Sequence, residues 1–115
     1  MADITINPGI NSVDYANGYA LINTNQCYFI DVREIDEYQS GFIPPAINFP
    51  LSTFSKEEAL KVLPDIAKPV IIYCRTGRRS LEAAQKLKDY GYYYLIDLGG
   101  ISKWPYSIEV PAERK

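Results

Sequence analysis

The sequence contains no histidine among its 115 residues, and this absence excludes several kinds of catalytic site. A Ser-His-Asp triad or a Cys-His dyad needs an imidazole as general base, and many metal sites need one as a ligand. Cysteine is also scarce, with only Cys27 and Cys74 in different sequence settings. Two such cysteines make neither a disulfide framework nor a cysteine-built zinc site. We therefore expect no metal site.

Long apolar runs and an excess of positive charge are also missing. No segment approaches the roughly 20 apolar residues that cross a bilayer, and residues 1–4 lack a basic stretch followed by an apolar run. The 12 Lys and Arg residues against 14 Asp and Glu residues give a net charge of −2, so no overall positive field exists to bind nucleic acid or an anionic membrane. We expect a cytoplasmic protein without nucleic-acid or membrane partners.

The composition is that of an ordinary globular protein, with 47% hydrophobic and 23% charged residues. This length is typical of one domain. We expect a single domain over residues 1–115, and a monomer as the default for a domain of this size.

Three short apolar runs are typical of strands that are buried on both faces of a parallel sheet. They are rich in aromatic and β-branched residues and do not alternate with polar ones; they cover residues 27–30, 70–73 and 92–96. Residues 46–49 are a weaker strand candidate, and residues 4–6 are a candidate edge strand.

Helical patterns lie between these runs. Apolar residues recur near the helical period over residues 80–90, and Gly91 ends that helix. A second helix starts at Ser55, a capping residue, and ends before Pro64. Strands that alternate with helices predict an α/β domain.

The most informative segment links the strand at 70–73 to the helix at 80–90 and reads Cys74-Arg75-Thr76-Gly77-Arg78-Arg79-Ser80. It places Cys74 at the carboxyl end of a parallel strand and beside a helix N-terminus, where anionic ligands bind. We expect the arginines and the loop amides to favour the thiolate of Cys74. Gly77 lets the backbone turn inward. The segment predicts a cradle that holds an anion against a nucleophilic sulfur.

A purely structural interpretation of this segment is a buried strand-end thiol followed by a solvated helix start. Three arginines at a helix N-terminus oppose the helix dipole, however, unless an anion binds there. The pattern therefore favours a functional cysteine.

The sequence resembles the rhodanese family in this loop and in two further segments. Residues 31–38 and 41–48 are similar to that family's upstream signature, and Leu98-Gly99-Gly100-Ile101 with Trp104 is similar to its downstream one. The three signatures occur in the family's order and cover most of the chain. Phe42 replaces the family's usual histidine and Pro45 its usual glycine, which puts only the local turn geometry in question. The segment after Trp104 matches poorly, and we expect it to be loosely held.

The resemblance implies a three-layer α/β/α domain with a central parallel sheet of four to five strands and flanking helices. It also implies a sulfurtransferase that moves a sulfane sulfur from a donor such as thiosulfate to cyanide or a thiol, with Cys74 as the nucleophile that carries a persulfide. The implied partners are a small-molecule or protein sulfur donor and a thiol acceptor. The resemblance implies that no cofactor is needed. The substrate-binding positions would be Arg75, Thr76, Gly77, Arg78, Arg79 and Ser80.

Residues outside the catalytic position are expected to support it. We interpret Asp31 and Arg33 as a structural ion pair in preference to a direct role. Arg79 is expected to pair with an upstream acid, either Asp31 or Glu37. Ser80 is expected to cap the helix in preference to bonding the sulfur.

The remaining thiol and the aromatic residues are expected to be structural. Cys27 is interpreted as a small buried apolar residue, although a resolving role with Cys74 stays open. Trp104 and the tyrosines at positions 92–94 are interpreted as core and rim.

Two other functions are compatible with an anion cradle around a cysteine. A phosphatase or an arsenate reductase would use a similar loop, but the six residues from Cys74 to Arg79 are short for a tetrahedral phosphate. A redox-sensing or interaction domain would be modified by oxidants without repeated turnover. Turnover of sulfur distinguishes these alternatives.

Overall fold

The structure is a computed structural model and describes residues 5–111. Five parallel strands form one sheet in the order β1-β5-β4-β2-β3. The strands are β1 Gly9–Ser12, β2 Tyr28–Asp31, β3 Ile47–Asn48, β4 Val70–Cys74 and β5 Tyr94–Gly100. The described α-helices are α1 Tyr15–Asn23, α2 Ile35–Gln39, α3 Lys56–Val62 and α4 Arg78–Asp89, and short 3-10 turns cover Leu51–Thr53 and Ile101–Lys103.

The central strand β4 shows why the sheet needs helices on both faces. All five of its residues are buried. Ile72 and Cys74 pack into a core cluster with Ala84 of α4, whereas Ile71 packs into a second cluster with Ile22 of α1. Successive residues of a strand point to opposite faces of the sheet, so an uninterrupted apolar run needs helices packed on both faces. The predicted three-layer α/β/α fold with a parallel sheet is confirmed.

The N-terminal edge strand lies later in the chain than predicted. Ile4 is outside the described residues, Thr5 and Ile6 are not in a strand, and β1 begins at Gly9, immediately after Pro8. Strand β1 pairs with β5 and contains polar residues, so a search for apolar runs does not detect it. One of these residues, Asn11, donates from its side chain to the Leu95 carbonyl at 3.1 Å.

Strand β5 also starts later than the predicted 92–96 and runs further, to Gly100. The Tyr92 N–H donates to the Leu87 carbonyl of α4 at 3.1 Å, and the Tyr93 N–H donates to the Ile66 carbonyl at 3.2 Å. Both groups are therefore engaged outside the sheet.

The predicted N-cap of α3 is confirmed, because the Ser55 hydroxyl accepts a hydrogen bond from the Glu58 N–H at 3.0 Å. Gly91 follows α4 with φ of +109°, as expected after a helix end. Helices α1 and α2 were not predicted. Asp14 caps α1 by accepting from the Asn17 N–H at 2.8 Å, but the Asn and Gly residues of α1 weaken its helical signal.

The segment after Trp104 is attached more firmly than expected. Phe42 and Glu109 form an isolated antiparallel bridge with two backbone hydrogen bonds of 2.8 Å. The ring of Tyr106 stacks on that of Tyr19 with centroids 4.2 Å apart. These contacts hold the described part of the segment against the turn at Phe42 and against α1. Across residues 5–111, no helix has the length and apolar character needed to cross a membrane.

Candidate active site

Cys74 is the last residue of β4 and is 1% exposed. The loop that follows turns back at Gly77, the N-cap of α4, whose φ is +108°. In this conformation, which favours glycine, the Gly77 N–H donates to the Cys74 Sγ at 3.0 Å. One backbone donor of the loop, at the start of a helix, thus faces the sulfur, a position that stabilises negative charge.

A register shift in β5 makes room for this loop. Ile72 pairs with Asp97, but Tyr73 pairs with Gly99 and Cys74 with Gly100, so Leu98 is an extra residue in β5. A Cβ atom on Gly100 would overlap the Arg75 carbonyl oxygen and would lie 2.7 Å from the Thr76 Cα. The second glycine of the downstream signature, Gly100, therefore lets the cysteine loop lie directly against β5.

Arg79 forms the ion pair that was predicted for it, and its partner is Glu37. Nη1 and Nη2 of Arg79 lie 2.7 and 2.8 Å from the two carboxylate oxygens of Glu37. The hydrogen bonds from Arg79 lower the pKa of Glu37 from 4.5 to about 2, and the hydrogen bond to Glu37 raises the pKa of Arg79. The other candidate acid, Asp31, is engaged elsewhere.

The side chains of Arg75 and Arg78 lie on the outside of the loop. Both residues are exposed, and neither forms an ion pair with another residue in the described part of the chain. Both charges therefore face solvent next to Cys74 in the chain. Thr76 is exposed as well.

Asp31 and Arg33 form the buried structural ion pair that was predicted. Nη2 of Arg33 lies 2.7 Å from Oδ2 of Asp31 and donates to the Gly41 carbonyl. The Tyr73 hydroxyl donates to the same Asp31 oxygen at 2.7 Å and accepts from the Ile43 N–H at 2.9 Å. Burial and the neighbouring Asp31 carboxylate raise the pKa of Tyr73. The network fixes the turn at Gly41–Ile43 to the residue that precedes Cys74.

The expected capping role of Ser80 is wrong, because Gly77 is the N-cap of α4 and Ser80 lies in its first turn. The Ser80 side chain is fully buried. Its Oγ lies 2.9 Å from the Gly77 carbonyl oxygen and 2.7 Å from Oδ1 of Asp97, which also accepts from the Gly99 N–H at 3.0 Å. Sequence reasoning missed Asp97, and its place directly before the Leu-Gly-Gly segment is the only signal that could have identified it.

Cys27 lies at the opposite end of the sheet from Cys74. Tyr28 is in register with Val70, so Cys27 lies five strand positions from Cys74, a separation of roughly 16 Å at about 3.3 Å per residue. A disulfide needs Cα atoms within about 7 Å, so the two cannot pair within one molecule. Burial raises the pKa of the Cys27 thiol, which packs at the edge of the second core cluster.

The aromatic residues have the structural places that were expected. Trp104 and Tyr92 are buried, Tyr94 is half-buried and Tyr93 is exposed at the rim. Within residues 5–111, His, Cys, Asp and Glu form no group of three or more that could hold a metal ion.

Comparison with known proteins gives a consistent result. The sequence model of the Rhodanese-like domain matches residues 16–105. Over 74 residues the chain is 36% identical to thiosulfate sulfurtransferase PspE of Escherichia coli, covering 64% of this chain and 70% of that protein. Over 97 residues it is 31% identical to a sulfurtransferase of Allochromatium vinosum, covering 83% and 88%.

Solved structures agree with the sequence comparisons. A rhodanese with anions from Escherichia coli superposes with a TM-score of 0.65 at 33% identity, over 71% of this chain and 95% of that one. A rhodanese-related protein from Thermoplasma volcanium superposes with a TM-score of 0.72 at 30% identity, over 87% and 98%. The chain, with its cysteine loop between a buried strand and a helix, belongs to the rhodanese-like domain family.

Proposed function

We propose that this protein is a sulfurtransferase that moves a sulfane sulfur from a donor such as thiosulfate to a thiophilic acceptor through a persulfide on Cys74. The observation that carries the proposal is the Gly77 N–H, 3.0 Å from the Cys74 Sγ at the start of α4. A donor in that place stabilises a thiolate and, after sulfur transfer, a persulfide. The relatives named as sulfurtransferases support the same activity.

The chemistry has two steps. The Cys74 thiolate attacks the outer sulfur of thiosulfate, the sulfur–sulfur bond of the donor breaks, and sulfite leaves with the bonding electrons. Cyanide or a thiolate then attacks the terminal sulfur of the persulfide, and the Cys74 thiolate is released. The amides of residues 75–80 stabilise the negative sulfur, and this scheme uses neither a metal nor an organic cofactor.

The exposed arginines suit an anionic donor. Arg75 and Arg78 are exposed in the segment that follows Cys74 and form no ion pair with an acidic residue in the described part of the chain, so they attract an anion such as thiosulfate. The acceptor in this proposal is a small thiol or a protein thiol.

The test is a thiosulfate:cyanide sulfurtransferase assay on the wild-type protein and on Cys74→Ser, with the intact mass recorded after incubation with thiosulfate. We expect turnover and the mass of one added sulfur in the wild type, and neither in the variant. A wild-type protein that fails in both measurements but hydrolyses an aryl phosphate or reduces arsenate would refute the proposal. An oxidisable Cys74 without repeated turnover would favour a redox-sensing domain instead.

We also infer that the protein is a cytoplasmic monomer and that residues 1–115 form one domain. A reducing compartment suits two unpaired cysteines that lie too far apart to be joined. Cell fractionation and light scattering test the location and the oligomeric state.

A further inference from the structure

We propose that Ser80 and Asp97 are positioning residues that hold the Gly77 N–H against the Cys74 sulfur. The inference rests on the proposed role of Cys74 and adds two side chains that do not touch the sulfur themselves. They act through the conformation of Gly77.

A continuous set of short contacts connects Asp97 to the sulfur. Oδ1 of Asp97 accepts from the Gly99 N–H at 3.0 Å and lies 2.7 Å from Oγ of Ser80. The single hydroxyl hydrogen of Ser80 is shared between this carboxylate and the Gly77 carbonyl oxygen, which lies 2.9 Å from the same Oγ, and the Gly77 N–H donates to the Cys74 Sγ at 3.0 Å. Asp97 therefore joins β5 to the first turn of α4, directly behind the residue that faces the sulfur.

Gly77 needs this support because it has no side chain of its own to fix it. Most helices start at a residue whose side chain accepts a hydrogen bond from the first turn, but α4 has no such bond. Glycine is also the residue with the widest choice of backbone conformations. Two groups at the start of α4 contact the Gly77 carbonyl oxygen and define its position. They are the Leu81 N–H, at 3.3 Å, and the Ser80 hydroxyl.

Burial makes the Ser80–Asp97 contact effective. Ser80 is 0% exposed, so water does not readily replace a lost partner, and a buried polar group without a partner costs free energy. A carboxylate acceptor also makes a stronger hydrogen bond than a neutral one. The pair is thus suited to fixing the loop before the substrate arrives.

The test measures the rate at which iodoacetamide alkylates Cys74, followed by mass spectrometry of the Cys74 peptide at one fixed pH. We expect Ser80→Ala and Asp97→Ala each to slow alkylation about 3- to 10-fold, the range for losing one hydrogen bond. In the double variant we expect a rate no lower than in the slower single variant, because both residues act through one contact.

The conservative variant Asp97→Asn keeps an oxygen acceptor and is expected to recover most of the rate lost in Asp97→Ala. This variant separates geometry from charge. If Asp97 acted only as a nearby negative charge, both substitutions would favour the thiolate and accelerate alkylation.

Two matched controls have the same local bonds far from the loop. Thr24 donates to a carbonyl three residues earlier, as Ser80 does, and Asp65 accepts from an N–H two residues later, as Asp97 does. We expect Thr24→Ala and Asp65→Ala to leave the alkylation rate unchanged.

Wild-type alkylation rates in folded Ser80→Ala and Asp97→Ala, acceleration in either, or additive slowing in the double variant would each overturn the inference. Thermal unfolding checks that every variant is folded. If the wild-type protein transfers no sulfur, the proposed function fails, but the alkylation rates still decide whether these residues position the loop.

Discussion

At the scale of single residues, the Glu37–Arg79 ion pair resolves a charge problem at the start of α4. Arg79 lies in the first helical turn, where a positive charge opposes the helix dipole. Glu37 of α2 meets it with both carboxylate oxygens at 2.7 and 2.8 Å. The pair offsets the unfavourable charge and ties α2 to the cysteine loop.

Because of this ion pair, we expect the stability of the protein to depend on pH in the acid range. The pKa of Glu37 is lowered from 4.5 to about 2, so its stabilising contribution is complete above pH 4.5 and is lost as the pH falls towards 2. We expect Glu37→Gln to lower the free energy of unfolding at neutral pH by about 1 kcal/mol, since side chains that are 26% and 33% exposed are partly screened by water. The difference from wild type should shrink below pH 4.5. Urea unfolding at several pH values measures it.

The matched control for this prediction is Glu58→Gln. Glu58 is also paired with a cation, Lys61 at 3.2 Å, but both side chains are about half exposed or more. We expect it to change neither the stability nor its acid dependence appreciably. A Glu37→Gln variant that follows the wild-type curve from pH 7 to pH 2 would contradict the assignment.

The sequence could not decide which acid meets Arg79. Asp31 and Glu37 both follow the strand predicted at residues 27–30, and both belong to the upstream signature. The decision depends on placement in three dimensions: Asp31 ends β2, where it meets the buried Tyr73 hydroxyl, whereas Glu37 lies on α2. A helix that sequence periodicity did not predict therefore determines the partner.

At the scale of secondary-structure elements, the bulge in β5 and the cysteine loop are fitted to each other. Gly100 has φ of −117°, which any residue adopts. Glycine is needed there because the Arg75 carbonyl and the Thr76 Cα occupy the space of a side chain. The need for Gly100 is therefore steric rather than conformational.

We expect Gly100→Ala to push the loop away from β5 and to reduce sulfur transfer roughly 100-fold, because a displacement of about 1 Å in a reacting group has effects of that size. The measurement is kcat/KM for thiosulfate, together with the alkylation rate of Cys74. Both should fall in a protein that still unfolds cooperatively.

Gly91→Ala is the control for general destabilisation. Gly91 has φ of +109°, but no atom lies within 4 Å of the place that an alanine Cβ would take, so its substitution strains the backbone without pushing on a neighbour. We expect lower stability with unchanged sulfur transfer. Equal activity losses at Gly91 and Gly100 would show that stability, and not the fit of the loop, is responsible.

The elements next to the site are the ones that the sequence predicts best. Strand β4 and helix α4 combine a strong apolar run with a clear helical period, so local signals agree with the fold. Strand β1 and helix α1 carry Asn, Gly and Ser, and they are stabilised by contacts with β5 and the second core cluster. Tertiary contacts of this kind, like the β5 bulge, leave no periodic pattern in a single sequence.

At the scale of the whole molecule, the parallel sheet separates the two thiols. All pairings within the sheet are parallel, so the carboxyl ends of its strands share one edge, where Cys74 lies. Cys27 precedes β2 and therefore lies at the amino ends of the strands, on the opposite side of the sheet from Cys74. A resolving function for Cys27 would require this register to be broken.

We therefore expect Cys27→Ser to transfer sulfur at the wild-type rate, whereas Cys74→Ser does not transfer it at all. After treatment with hydrogen peroxide, peptide mapping without reduction should find no disulfide between the two cysteines of one molecule. The roughly 16 Å between their strand positions greatly exceeds the Cα separation of about 7 Å that a disulfide tolerates. A Cys27–Cys74 disulfide in monomeric protein would therefore contradict the pairing of Tyr28 with Val70 and, with it, the parallel register of β2 and β4.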